Sequence, residues 1–403
     1  MQCPRLSIVI TLALLLQGCA SLRPPPIASD DPAAAGQLRE RIDAYMQQRV
    51  ADGYSGAVMV MRGDAAILSK GYGIADRGRG VAATDRTLFQ LASVTKPFTA
   101  AAILKLQMEG RLRVTDPVTR FFDDVPADKR AITIHQLLTH TSGMPHRVGI
   151  CWPPSSKLDR DGYVREVLAA DLDAAPGRAF AYSNDGYGLL GAIIERASGR
   201  SYEQYLREEL FAPAGMTRTG YTFDETTLQD AARGYAGRDE YLGNLNPAFR
   251  NQSGPAWCNR ASGGLLSTAQ DMRRWSDALQ DDRVLSAEAR RLMLQRHVRD
   301  SAGSFSGYGW FLSTPPRRTS LATHDGSLSG YFTADLHWYA DEGIAVFVPS
   351  NSVEHRAQEI STALTRILPL TESTPVVLVR LQGSGCAGDA PAAQNRCHGR
   401  CWI

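Results

Sequence analysis

The chain has 403 residues, 43% hydrophobic and 21% charged, which supplies a sizeable core and excludes a disordered polymer. Its 44 basic side chains nearly balance 42 acidic ones, a formal charge of +2, so neither a nucleic-acid partner nor an acidic solvating tail is implied. Only Lys70, Lys96, Lys105, Lys129 and Lys157 are lysines, so a lysine placed where chemistry can use it stands out.

Leu6 to Leu16 is almost wholly apolar and follows Arg5. The run is shorter than the roughly 20 residues that span a bilayer, and it reads as a secretion signal over residues 1–18. Leu16-Gln17-Gly18-Cys19 resembles a bacterial lipobox, in which the cysteine is lipidated and becomes the new N-terminus. Cleavage as an ordinary signal peptide is the alternative. Ala20 and Ser21 follow, with no Asp, which by the same resemblance implies the outer membrane. The expected product is an exported, periplasm-facing lipoprotein held to the membrane through Cys19, with a proline-rich tether over 19–37. In an oxidising compartment Cys151 and Cys258, within the body of the chain, could pair. Cys386, Cys397 and Cys401 sit in a Gly-, Ala- and Gln-rich tail within 371–403, expected to be poorly ordered at its end.

Leu38, Ile42, Tyr45, Met46 and Val50 recur at helical spacing and predict a helix over Gly36 to Ala51. Gly56 to Met61 and Ala65 to Ser69 read as strands of a hairpin turning at Arg62-Gly63-Asp64. Helical signals then dominate: Phe98 to Met108, Ile134 to Leu138, Tyr163 to Ala169, Tyr187 to Ala197, Tyr202 to Phe211 and Ala269 to Leu279. Strand-like runs return at Trp310 to Ser313, Tyr331 to Tyr339 and Ile344 to Pro349, and Val353 to Ile367 reads as a closing helix. The pattern predicts an α+β fold. A sheet region (about 38–90 and 300–370) flanks a mainly helical region (about 91–299), with a ligand cleft between them.

Three short motifs carry chemistry. In Ser93-Val94-Thr95-Lys96 the spacing of three puts the Lys96 amine within reach of the Ser93 hydroxyl. A serine hydroxyl needs a neighbouring base, and a buried lysine loses its proton easily enough to serve. Tyr182-Ser183-Asn184 offers a phenol whose pKa a nearby ammonium would lower, and an amide that can orient a carbonyl. Read alone, it is a helix cap. His324-Asp325-Gly326-Ser327 lets a backbone pass close to a ligand. Read alone, it is a turn before a strand, though an edge strand there could lend an N–H to an oxyanion.

Together and in this order the motifs resemble those of the serine β-lactamase and penicillin-binding superfamily, in its class C-like branch. That branch includes β-lactamases, DD-carboxypeptidases, D-aminopeptidases and β-lactamase-like esterases. Lys70 to Asp76, Leu137 to Met144, Ala261 to Ser267, Tyr308-Gly309-Trp310 and His324 to Asn351 look like further family blocks, so the resemblance covers about 38–370. It implies that Ser93 attacks an acyl carbonyl, that Lys96 and Tyr182 share proton traffic, and that Asn184 holds the neighbouring amide or ester. The N–H groups of Ser93 and Ser327 would form the oxyanion hole, with His324 and Gly326 lining the substrate site. The substrate would be a peptidoglycan-like peptide, an ester or a β-lactam, with no metal and no organic cofactor. A weak penicillin-binding sensor or an acyltransferase on the same fold is the alternative. His324 stands where many β-lactamases have Lys. An imidazole there would attract carboxylates in a pH-dependent way, weighting the expectation towards a peptidase, esterase or amidase. His135, His140 and His146 cluster in sequence, but their block matches the family without metal and implies structural roles.

The lipobox makes a direct prediction. Metabolic labelling with a fatty-acid probe should mark the wild-type protein and not Cys19→Ser. An unlabelled, soluble wild type would mean an ordinary signal peptide.

Overall fold

The computed structural model describes residues 32–148, 158–236, 240–243, 257–300, 302–315, 319–328, 332–352 and 357–369. Cys19, Cys151 and the three tail cysteines therefore lie outside the described residues, whereas Cys258 is disulfide-bonded.

An eight-stranded antiparallel sheet is assembled from the two ends of the described chain. Its strands are β1 (Gly56–Arg62), β2 (Ala65–Tyr72), β3 (Val298–Arg299), β4 (Phe305–Ser306), β5 (Phe311–Ser313), β6 (Leu321–Leu328), β7 (Phe332–Tyr339) and β8 (Ile344–Ser350). The spatial order is β2-β1-β8-β7-β6-β5-β4-β3, so the last strand lies beside the first. Both faces of the middle are covered, which the alternation along β1 shows. Ala57, Met59 and Met61 join the large core under the helical region, while Val58 and Val60 join a second core on the other face. That second core is closed by α1 (Pro32–Ala51), through Leu38, Ile42 and Met46. The closing helix (Ala357–Ile367) adds Ile360 and Leu364. The spacing of four along each helix is that of one buried stripe.

The helical region packs on the first face. Its elements near the cleft are α2 (Lys96–Met108), α3 (Ile134–Leu138), α4 (Arg160–Ala169), α5 (Asn184–Ser198), α6 (Trp257–Gly263) and α7 (Ala269–Ala278). Phe98 of α2 stacks on Trp275 of α7 at 4.5 Å between centroids, fixing α2 in the core. Two expectations change. His324 to Ser327 is not a turn before a strand but the second half of β6, paired residue by residue with Leu336 to Thr333 of β7. A helix at Ala287–Met293 is only seven residues long and buries just Ala289 and Met293, too short a stretch to show a helical period.

Asn351 staples the end of the sheet to the loops around it. Its buried Nδ2 donates to the carbonyls of Ile74 (3.2 Å), Ala75 (3.2 Å) and Arg233 (2.8 Å). Replacing it by Leu strands those carbonyls away from water. Asn351→Leu should cost about 1–3 kcal/mol, the usual penalty for orphaned buried polar groups. The check is a lower urea midpoint at unchanged slope.

Candidate active site

Ser93 lies in a tight 3-10 turn, Ala92–Thr95, that runs straight into α2. Ala92, just before it, has φ of +46°, and His140 has φ of +57°. These are the two non-glycine residues with positive φ among the described ones, and both border the same cleft. Strain of this kind persists only where surrounding contacts impose it.

The turn brings the Lys96 amine to 3.1 Å from Ser93 Oγ. The same Nζ donates to Asn184 Oδ1 at 2.8 Å and to the Ser262 carbonyl of α6 at 2.7 Å. Lys96 is fully buried, and burial pushes its amine well below the usual lysine range, with the positive charge of Arg147 adding to the effect. A neutral amine has two N–H bonds and one lone pair. Two carbonyl-type acceptors use the N–H bonds, which leaves the lone pair for the Ser93 hydroxyl.

Tyr182 completes the enclosure. Its ring lies with its centroid 4.8 Å from Lys96 Nζ and stacks on His140 at 4.4 Å. Burial raises its phenol pKa above the ordinary value, against the lowering effect of a hydrogen bond with Ser93. The expected acidification of Tyr182 by a neighbouring ammonium is thus reversed: the cost of burial falls on both groups, raising the phenol pKa and lowering that of the amine.

Tyr182-Ser183-Asn184 turns out to be cap and site together. Ser183 Oγ accepts from the Gly186 N–H at 2.9 Å and caps α5, which aims Asn184, the first helical residue, at Lys96. The Ser183 N–H donates to His140 Nδ1 at 3.1 Å, so His140 carries its proton on Nε2. Burial holds the His140 pKa well below the ordinary histidine value.

β6 forms the opposite wall. Its ladder with β5 ends at Thr323, so from His324 onward that edge has no ladder partner among the described residues. The edge passes very close to the Ser93 turn. A Cβ on Gly326 would sit 2.3 Å from the Leu91 carbonyl oxygen and 2.8 Å from the Ser93 nitrogen. Only a residue without a side chain fits there. Ser327 follows and is exposed. His324 is 2% exposed, with Nδ1 donating to the Asp325 carbonyl at 2.7 Å. Its ring lies 5.4 Å from Phe311 and 6.4 Å from Tyr182. Burial, helped by Lys96, takes its pKa down to about 3. The expectation of a cation titrating near neutrality is therefore corrected: the imidazole is neutral throughout the physiological range, because burial disfavours its charged form.

The chain's relatives bear on this arrangement. The sequence model described as Beta-lactamase matches residues 38–367. The chain belongs to the beta-lactamase family. It is 28% identical over 320 residues to a penicillin-binding protein of Bacillus subtilis (strain 168), covering 76% of this chain and 70% of that one. An octameric penicillin-binding protein homologue from Pyrococcus abyssi superposes with a TM-score of 0.68 at 28% identity, covering 82% of this chain and 77% of that one. EstCE1, a hydrolase with promiscuous acyltransferase activity, shares the fold at 22% identity and a TM-score of 0.71, covering 83% of this chain and 99% of that one. Membership of the beta-lactamase family supports a serine hydrolase-like function.

The structure gathers Ser93, Lys96, Tyr182, Asn184, His324 and Gly326 around one cleft. Sequence reasoning passed over the Ser262 carbonyl, which no side-chain motif reveals. It also gave His146 only a structural place, although His146 Nε2 lies 3.2 Å from Asn184 Nδ2.

Gly326→Ala tests the close approach. The added methyl must push β6 away from the Ser93 turn, and a displacement of about 1 Å at a reacting centre can cost roughly 10²-fold in rate. Ester turnover should fall by about that factor. A variant with wild-type turnover would show that the β6 edge plays no part in the chemistry.

Proposed function

We propose that the protein is a serine acyl hydrolase that cleaves an amide or ester through an acyl-enzyme on Ser93. The observation that carries this reading is the fully buried Lys96 amine, 3.1 Å from Ser93 Oγ, with two carbonyl-type acceptors at Asn184 and Ser262 to take its N–H bonds. The Lys96 lone pair takes the Ser93 proton as Oγ attacks the acyl carbon. The N–H groups of Ser93 and Ser327 receive the oxyanion. As the tetrahedral adduct collapses, the Tyr182 hydroxyl protonates the leaving group and is resupplied from the Lys96 ammonium. Water then attacks the Ser93 ester. Its proton moves through Tyr182 towards Lys96, the second adduct collapses, and Ser93 recovers its hydrogen as the acid departs. Every group ends as it began.

The neutral His324 bears on substrate choice. A fixed cation in that motif would hold a substrate carboxylate, and here there is none. This favours esters and amides that carry no carboxylate on that side over β-lactams and free peptide C-termini.

Ser93→Ala should remove acylation by every substrate, with a loss on the order of 10³–10⁶ in kcat and an unchanged circular dichroism spectrum. Intact-mass measurement after exposure to a p-nitrophenyl ester, a D-Ala-D-Ala peptide and a β-lactam checks it and ranks the substrates. A variant keeping more than roughly a tenth of wild-type turnover would exclude Ser93 as nucleophile. The pH profile supplies a second check. The active base is neutral Lys96, so kcat/KM should fall as pH drops through the depressed lysine pKa. His324, down at about 3, should add no inflection near pH 6–7, where an unperturbed histidine titrates. If His324→Gln erased an inflection in that range, the buried neutral imidazole would be refuted.

A further inference from the structure

The segment before residue 149 lies beside Tyr182 and Asn184 and is fastened on both sides of Arg147. The His146 carbonyl accepts from the Asn184 N–H at 2.9 Å. His146 Nδ1 donates to the Tyr182 carbonyl at 3.2 Å, which leaves Nε2 to accept from Asn184 Nδ2 at 3.2 Å. On the other side, the Val148 N–H donates to Asp185 Oδ2 at 2.5 Å. The backbone of Arg147 is thus held between Tyr182 and Asn184, which border Lys96, and Asp185.

Its side chain is aimed as well. Arg147 is exposed, yet Nη1 donates to Asn259 Oδ1 at 2.8 Å. Asn259 lies on α6 one turn before Ser262, whose carbonyl holds Lys96. That spacing is about 4.5 Å along a helix axis. The guanidinium charge acts on Lys96, Tyr182, Tyr163 and Asp185: it adds to the lowering of Lys96 by burial and opposes the raising of the other three by burial. Asp185 is the carboxylate nearest to hand, but it is buried and its two oxygens accept from Tyr163 Oη (2.9 Å) and the Val148 N–H (2.5 Å). Among the described residues no carboxylate pairs with Arg147. A guanidinium has five N–H donors in a planar fork suited to a carboxylate.

We propose that Arg147, braced by Asn259, is a subsite for a carboxylate carried on the acyl part of the substrate, on the Asn184 side of Ser93. With His324 neutral, it supplies a positive charge at the rim of the cleft. The proposal rests on Ser93 as the acylated residue, and it selects among acyl groups without altering the reaction.

The test uses two esters with the same leaving group, p-nitrophenyl valerate and mono-p-nitrophenyl glutarate, whose acyl ends differ in carrying a methyl or a carboxylate. The readout is the glutarate-to-valerate ratio of kcat/KM. Any effect of Arg147 on Lys96 is common to both esters and cancels. Arg147→Gln should lower the ratio roughly tenfold, the size expected for one charge-assisted pair. Arg147→Lys should keep part of it, and the wild-type ratio should fall with added salt. A ratio unmoved by Arg147→Gln overturns the proposal. If neither ester turns over, thermal shift of Ser93→Ala and of Ser93→Ala/Arg147→Gln with millimolar glutaramate against valeramide takes its place. Glutaramate must then raise Tm only where Arg147 is present, and equal shifts overturn it. Turnover of both esters by Ser93→Ala would instead refute the nucleophile and leave the Arg147 comparison readable.

Discussion

The Lys96 amine is the point on which the cleft depends. It draws hydrogen-bond partners from three places far apart in sequence: its own turn at Ser93, the head of α5 at Asn184 and the end of α6 at Ser262. A lysine buried without these partners would be costly in either protonation state. With them, two helices and a turn are fixed relative to one nitrogen atom. The surrounding shells repeat the logic. Thr99, one turn along α2, donates to the Ala261 carbonyl at 2.7 Å, and the Leu265 N–H donates to Thr95 Oγ1 at 3.2 Å. α2 and the segment after α6 are laced together on both sides of Lys96.

The opposite wall obeys a different constraint, namely space. β6 reaches the Ser93 turn because residue 326 has no side chain, while the flanking ladder with β5 stops short of it. Hydrogen bonding thus sets one side of the cleft and van der Waals clearance sets the other. The aromatic surfaces of Tyr182, Phe311 and His324 fill the space between them.

Much of this was legible in the sequence. Short strand-like runs on either side of Arg62-Gly63-Asp64 marked β1 and β2, a helical spacing of apolar residues marked α1, and the three motifs named the residues that meet. What escaped had physical reasons. Residues 324–327 hold Asp, Gly and Ser, a turn-like composition, and only pairing with β7 makes them a strand. The ionisation states of His324 and Tyr182 were misjudged because each depends on burial, which spacing does not report. Backbone acceptors such as the Ser262 carbonyl have no side-chain signature. The importance of residues 146–148 arises from where their loop is tied, not from what they are.

The order of strands has a consequence for how the chain reaches this state. β1 leaves the ribosome early, but its inner neighbour is β8. Tyr54 Oη bonds the Pro349 carbonyl across 295 residues of sequence. Until those last strands exist, the β1–β2 hairpin has an open edge and two uncovered apolar faces, a state prone to pairing with other chains. The high contact order places this protein among slow folders, since loop closure over such a distance precedes any reward from burial. Acquisition of the native sheet is therefore a late event. For as long as the final strands are missing, the first hairpin keeps an open edge on its inner side.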